Sequence, residues 1–579
     1  MSIIFFGKLE KCRKIYGVSL KYLVISGKIT LGRGEIHMKE LKPMLFSCMR
    51  TYSKEKLIKD IIAGIIVAII ALPLSIALAL ASGVGPEEGL YTAIVAGFII
   101  SFLGGSTVQI AGPTAAFATI VAGVVAKNGM EGLVLATLMA GAFLIIMGLC
   151  KLGSLIKYIP YTITTGFTAG IAVTIVIGQM KDFFGLVYAG GEKPVETMEK
   201  LEVFLEYFST VNFQAVIVGL VSLAILIVWP YINKKIPGSL IAVMAGIFMA
   251  MKMDIFTIGD LYSVSSSLPK FSAPHFDLAL IRNVLPDAFT IAILAAIESL
   301  LSCVVADGMT NSKHRSNAEL VAQGVGNMGS ALFGGIPATG AIARTAANIK
   351  NGGTSPISGM VHAAVLLLIL VLLMPYAALI PMPTIAAILF VVAYNMCQWR
   401  PFVHLVKTAP KSDIAVLVIT FVLTVVFDLV IAIEVGFVLA CLLFMKRMSD
   451  ETGVVGWKYV EEETDDSEKL KILPKEIRVY EITGPLFFGA SDRITQISMK
   501  EFTKCLILRM RSVPAIDVTA MNALEELRMR CERQGISLIF SHVNDQPMRV
   551  MEKAGFVEKI GRENFCDHID SAIIHAQQL

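Results

Sequence analysis

Glu298 stands in the middle of the apolar run FTIAILAAIESLLSCVV. Ser299 is beside it, and Ser302 follows at i+4, on the same face of any helix formed there. Arg344 lies just inside GGIPATGAIART, among small residues. A charge at the centre of a spanning helix costs about 2.5–3.5 kcal/mol on insertion scales, so a purposeless one does not persist. The plainer reading is a mutual Glu298–Arg344 pair that locks two helices, which need not exclude a transport role. Asp428, Glu434, His362 and Glu319 lie near span ends or within a final hairpin, where satisfied or snorkelling side chains are expected rather than ligands.

Two broken segments must position these groups. The first runs from Ser106 to Phe117 (STVQIAGPTAAF), the second from Gly334 to Thr345. Each has a short extended stretch, then Gly with Pro or Thr, then small residues suited to a helix. Non-helical backbone survives at membrane depth only where protein buries it or a wet cavity receives it. Short Gly/Pro-interrupted segments at matching places in two halves point to the central site of an inverted-repeat transporter. The helix N-termini that follow them expose N–H groups and the positive dipole end, which together attract an anion. The alternative is a pair of kinked core helices with no ligand.

Composition places these segments in a membrane. Of 579 residues, 55% are hydrophobic and 17% are charged, well below the quarter that soluble domains carry, which excludes an ordinary cytosolic enzyme. Strongly apolar runs fall near 60–82, 89–103, 131–149, 160–180, 213–230, 238–252, 286–306, 357–376, 381–398, 412–427 and 428–445. A weaker one lies near 317–334, and the short broken segments near 110–126 and 340–350 bring the expectation to about fourteen. With the N-terminus inside, the basic clusters Lys54/Lys56/Lys59, Lys151/Lys157, Lys234/Lys235, Lys313/Arg315, Arg400/Lys407/Lys411 and Lys446/Arg447 all fall on the cytoplasmic side. The loop at 181–210, with Glu192, Glu196, Glu199, Glu202 and Glu206, falls outside. Both termini are expected in the cytoplasm. The net charge of +4 gives no case for nucleic acid, and nine scattered cysteines give no disulfide or zinc framework. Residues 1–37 read as an unstructured basic extension or as a mis-called start upstream of Met38, and lack a signal-peptide pattern.

The run LPLSIALALASGV, then GLYTAIVAGFIISFLGGSTVQIAGPTAAFA, resembles the opening of the SulP anion transporters, the sulfate-permease family. The stretch from Glu298 to Gly359 is similar to its bacterial members, above all the branch of bicarbonate and C4-dicarboxylate carriers. The resemblance implies a polytopic all-α membrane protein of fourteen transmembrane segments in two inverted repeats of seven. Spans three and ten would be half-helices meeting head to head, and a core domain would move as an elevator against a gate domain. By position it implicates Ser75, Leu78, Thr114, Ala115, Ala341, Ile342 and Arg344 in substrate binding, with Glu298 and Ser302 at the coupling-cation position. The bicarbonate branch has Asp where this chain has Glu298, and Thr where it has Ile342, which weakens a sodium site and leaves proton coupling open beside it. Homodimerisation is likewise implied by the family.

After Glu451 the chain turns polar, and Glu461–Glu468 reads as a solvated linker. IRVYEITGPLFFG suggests strands around a Gly-Pro turn, KCLILRM a buried strand, AMNALEELRMRCERQG a helix ending at Gly535, and ISLIF another strand. This succession resembles the α/β STAS domain that ends most SulP proteins. The expected organisation is therefore a basic extension at 1–50, a transport domain at 51–446, a linker at 447–472 and a STAS domain at 473–579. Thr519, in Asp517-Val-Thr-Ala520, falls where antagonist relatives carry a phosphorylatable Ser, and is a candidate phosphorylation site; a helix-capping hydroxyl explains it equally. No nucleophile–base pair or phosphate loop marks the tail as an enzyme, and no cofactor is expected beyond H+ or Na+. The expectation is a secondary active carrier of sulfate, bicarbonate or a C4-dicarboxylate in the plasma membrane, in contact with lipid. An exchanger, a channel-like conductor or a STAS-linked sensor are the rivals, and a cytoplasmic protein partner of the STAS domain is left open.

Overall fold

The computed structural model describes residues 41–154, 160–188, 194, 196–233, 236–274, 277–427, 429–456, 474 and 476–579. Most of the basic extension, Lys157, Glu192, Lys234, Lys235, Asp428 and the acidic linker Glu461–Glu468 lie outside the described residues. The chain forms two compact units, Met1–Phe437 and Val438–Leu579.

The first unit is helical. Its elements are α1 (Lys54–Ala81), α2 (Pro86–Leu103), β1 (Ala111–Gly112), α3 (Ala115–Leu149), α4 (Tyr161–Phe184), α5 (Phe213–Ile232), α6 (Gly238–Ala250), α7 (Leu278–Thr310) and α8 (Ser316–Leu332). Then come β2 (Thr339–Gly340), α9 (Ile342–Lys350), α10 (Ile357–Ala377), α11 (Met382–Cys397), α12 (Lys411–Val426) and α13 (Leu429–Glu451), which continues into the second unit. α3 is broken at Gly129, whose φ of 67° and ψ of −172° separate a half-helix, 115–128, from a full span, 130–149. Among the described residues, setting aside short helices such as Thr197–Glu206 and Trp399–Thr408 and counting the two parts of α3 separately gives fourteen segments, seven up to α6 and seven from α7 onward. In each set of seven the third is short and follows a two-residue strand. Among the described residues, eight helices are long and apolar enough to cross a membrane.

The helices sort into two bundles. α3 packs most extensively on α7 and α8, and α10 on α1 and α2, while α4 packs on α11 and α12 and α5 on α6 and α11. Small residues set the closest approach in the first bundle. A Cβ on Gly141 of α3 would stand 2.7 Å from the Gly324 carbonyl of α8, and one on Gly324 would stand 2.5 Å from that of Gly141. Where lipid offers no hydrophobic drive between helices, such backbone contact supplies the packing energy.

Asp60, fully buried on α1, ties this bundle to the turn after α9. It accepts from Tyr52 Oη at 2.8 Å, from the amides of Thr354 and Ser355 at 2.6 and 3.2 Å, and from Ser355 Oγ at 2.5 Å. Asp60→Ala leaves the amides of Thr354 and Ser355 and the Ser355 hydroxyl without this acceptor, and we expect it to cost about 3 kcal/mol. The readout is a fall of several degrees in the thermal midpoint of the purified protein, with Asp60→Asn intermediate.

In the second unit a five-stranded sheet has the order β3 (Gly453–Gly456), β4 (Ile477–Thr483), β5 (Cys505–Ser512), β6 (Ser537–Ser541), β7 (Phe565–Cys566). β3 pairs with β4 antiparallel and the remaining pairs are parallel. Alternate side chains divide the sheet between two cores. Leu506, Leu508 and Phe540 pack with residues of the helix α14 (Val518–Arg533), while Cys505, Ile507 and Ile539 pack with residues of the helix α15 (Ile569–Gln578). The expected second strand of the Gly-Pro hairpin does not form. Gly484 takes φ 85°, and beyond Pro485 only Leu486 bridges, in parallel, to Ile516.

Candidate functional site

The two broken segments meet. β1 and β2 pair antiparallel, Ala111 opposite Gly340 and Gly112 opposite Thr339, and the Ala341 amide donates to the Ile110 carbonyl at 2.9 Å. Each strand leads at once into a helix, with Thr114 as N-cap of α3 and Ala341 as N-cap of α9. Antiparallel strands feeding helices set the two N-termini head to head. Neither is capped by a side chain. The first-turn amides, those of Ala115 and Ala116 on one side and of Ile342 and Ala343 on the other, have no carbonyl of their own helix to bind. The arrangement is a pair of positive dipole ends facing one another.

Arg344, in the first turn of α9, is 1% exposed. Its Nη2 donates to Ser75 Oγ on α1 at 3.3 Å and to the Pro113 carbonyl at 3.1 Å, so one guanidinium joins both half-helices to the first span. Gly112 leaves room for it, since a Cβ there would fall 2.2 Å from Arg344 Nη1. Gly112→Ala therefore displaces the guanidinium, and we expect an overpacking cost of about 1–3 kcal/mol. The check is initial-rate uptake, in which the variant's KM for the anion rises.

Glu298 and Arg344 do not form the locking ion pair that the sequence left open. Glu298 is partly exposed, and its Oε2 accepts from Thr114 Oγ1 at 2.9 Å. The Thr114 hydroxyl thus reaches across to α7 instead of capping its own helix. One residue on the half-helix links the anion-attracting N-terminus to the acidic residue of α7. Both charges keep capacity for a ligand, Arg344 through its unpaired Nε and Nη1 and Glu298 through its second oxygen.

The other expected residues fall nearby in different roles. Leu78 is buried in the apolar core, and Ile342 is partly exposed at the first residue of α9. Ser302 donates to Thr345 Oγ1 at 3.4 Å, and that hydroxyl also receives the Ile110 amide at 3.1 Å. Ser302 therefore supports the crossing strands, and among the described residues its side chain makes no hydrogen bond to Glu298. Glu319, in the first turn of α8, takes the satisfied role expected of it. It is fully buried and accepts from the Gly105 amide, Gln109 Nε2 and Gln323 Nε2 at 2.8, 2.8 and 2.9 Å. Gln109, which sequence reasoning passed over, also donates to Ser299 Oγ at 2.9 Å and accepts from the Cys303 thiol at 2.8 Å. A Gln inside a broken apolar segment was the available signal. His362 is also fully buried, and among the described residues neither ring nitrogen has a partner. Glu434 is exposed on α13.

In the second unit Thr519 is exposed in the first turn of α14. It is not the cap. Asp517 is, accepting from the Ala520 amide at 2.8 Å and from the Phe488 amide at 3.0 Å. Burial pushes the Cys505 thiol up to about 12 and the Cys531 thiol up to about 11, so neither is poised as a nucleophile at neutral pH.

Comparison with known proteins finds relatives over most of the chain. A model of the sulfate permease family matches residues 57–420, and one of the STAS domain matches residues 471–572. The chain is 41% identical over 532 residues to YvdB of Bacillus subtilis, described provisionally as a sulfate transporter, covering 90% of this chain and 98% of that one. It is 32% identical over 493 residues to the bicarbonate transporter BicA of Picosynechococcus, covering 80% and 85%. The fold superimposes on that of the murine Slc26a9 anion transporter in its inward-facing state with a TM-score of 0.83 at 18% identity, over 93% of this chain and 94% of that one.

Proposed function

Because the chain belongs to the sulfate permease family and ends in a STAS domain, we propose that it is a secondary active carrier of a small oxyanion, driven by a proton or sodium gradient. The observation that carries this is the β1–β2 pairing, which sets two uncapped helix N-termini beside the buried guanidinium of Arg344. Amide donors and a fixed positive charge converge where negative charge would be held. Sulfate and bicarbonate, the substrates named for the relatives, and C4-dicarboxylates share the carboxylate-like or tetrahedral oxygens that such donors recognise.

Coupling runs through Glu298 and Thr114. Thr114 donates to Glu298 from the residue that opens the anion-facing helix, so the state of the carboxyl bears directly on the anion site. Among the described residues no other side chain donates to Glu298. A proton needs only that carboxyl, whereas a dehydrated sodium ion needs more oxygens, so a proton is the simpler partner. The separate packing of the two bundles supports an elevator, in which the bundle of α1–α3 and α7–α10 carries the anion past the other. The plasma membrane, cytoplasmic termini and a homodimer complete the reading, and phosphorylation of Thr519 would act on the exposed first turn of α14.

The test is uptake of labelled sulfate, bicarbonate and succinate into proteoliposomes, each with an inward proton gradient, an inward sodium gradient or neither. The proposal expects one anion to accumulate above equilibrium under one gradient and the others to compete in order of affinity. Accumulation of none under either gradient, or equal flux without any gradient, overturns it.

A further inference from the structure

Resting on this reading of the central site, we propose that His362 is a positioning residue that holds the free edge of the Arg344 guanidinium through a buried water molecule. Two sets of orphan polar atoms lead to it. His362, on α10, is 0% exposed, and among the described residues neither Nδ1 nor Nε2 has a hydrogen-bond partner. Arg344, on α9, is 1% exposed and spends only Nη2, leaving Nε and Nη1 unpaired.

Both side chains lie near β1, His362 by way of Gly97 beside Ala111 and Arg344 beside Gly112. A Cβ added to Gly97 of α2 would lie 3.9 Å from His362 Nδ1 and 3.3 Å from the Ala111 carbonyl. One added to Gly112, the next residue of that strand, would lie 2.2 Å from Arg344 Nη1. A third orphan belongs to the same interface. Ser101, one turn from Gly97 on α2, has a buried Oγ without a partner, and it packs where a Cβ on Gly359 would stand, one turn from His362 on α10.

Donor and acceptor types fit one water between them. Guanidinium N–H groups donate only, and a neutral imidazole offers one acceptor nitrogen. A water that accepts from one of the two free Arg344 nitrogens and donates to the acceptor nitrogen of His362 gives each a bond and leaves the other Arg344 nitrogen for the anion, and a buried water is retained where it finds two to four such partners. A purely space-filling role would be served better by Leu or Met, since an imidazole buried with no partner is costly. The water fixes the guanidinium from the side opposite Ser75 and Pro113, so that its charge stays aimed between the two half-helices.

The test compares His362→Leu and His362→Asn in the full chain, using labelled sulfate and bicarbonate as probes. We expect His362→Leu to raise the KM for the transported probe about tenfold with Vmax within about twofold, and His362→Asn, which can still bond a water, to recover most of the loss. An unchanged KM in His362→Leu, or a loss confined to Vmax in both variants, overturns the inference while wild-type uptake leaves the transport reading intact. Failure of the wild type to take up either probe sinks that reading instead. A density map that resolves ordered water then decides the inference by itself. A peak within hydrogen-bond reach of both His362 and Arg344 supports it, and dry packing there overturns it.

Discussion

Glu298→Gln is expected to reduce gradient-driven uptake at least about a hundredfold, a loss of roughly 2.7 kcal/mol in coupling, while anion-for-anion exchange and the melting temperature stay near wild type. Gln has the size of Glu, and its amide oxygen can still accept from Thr114, so the crossing between α3 and α7 is kept. What it loses is the ability to bind and release a proton or to neutralise a cation. A carrier that returns only with its coupling ion bound then becomes an exchanger, because the driven half-cycle has no partner for the gradient. Uptake into proteoliposomes with and without the gradient, next to counterflow of preloaded anion, separates the two half-cycles. Undiminished driven uptake would remove Glu298 from the coupling role.

Arg344→Lys is expected to raise the KM for the anion about tenfold to a hundredfold. Arg344 Nη2 reaches Ser75 and the Pro113 carbonyl together, and the rest of the planar group stays available. A lysine ammonium is a point charge on a flexible stem. It can satisfy one of these partners, but it cannot brace α1 and the β1–α3 corner while presenting further donors. The charge itself is retained, so a loss of affinity on this substitution reports on geometry. Concentration dependence of initial uptake in the two proteins measures it. A KM matching wild type would show that any cation at this position suffices.

The segments that cross the membrane were legible because twenty-residue apolar runs and flanking lysines are local signals. The broken segments were legible for the same reason. Gly112-Pro113 and Gly334-Gly335 interrupt an apolar run in a way that only a lined or buried position tolerates. What joins them was not legible. The pairing of Ala111 with Gly340 and the bond from Thr114 to Glu298 link residues far apart in sequence, and no periodicity within either segment encodes which atoms meet. That is why a direct Glu298–Arg344 pair looked reasonable, although each charge turns to a nearer hydroxyl or carbonyl. Glu319 and His362 do lie near the starts of α8 and α10, but hydropathy is blind to the side on which another helix buries them. Glu319 sits in a closed set of amide donors supplied largely by Gly105, Gln109 and Gln323, a cluster that forms only when the first broken segment folds against α8. In the tail the strand KCLILRM and the helix ending before Gly535 followed from alternation and a terminal glycine. The missing partner strand after Pro485 depended instead on Leu486 finding Ile516.

The central claim is most directly tested by locating the anion. A density map of the protein saturated with whichever oxyanion wins the uptake competition should show it between the first turns of α3 and α9, within hydrogen-bond reach of the Ala115 or Ile342 amides and beside Arg344. An anion bound elsewhere, or none at this crossing under saturating conditions, would contradict the account.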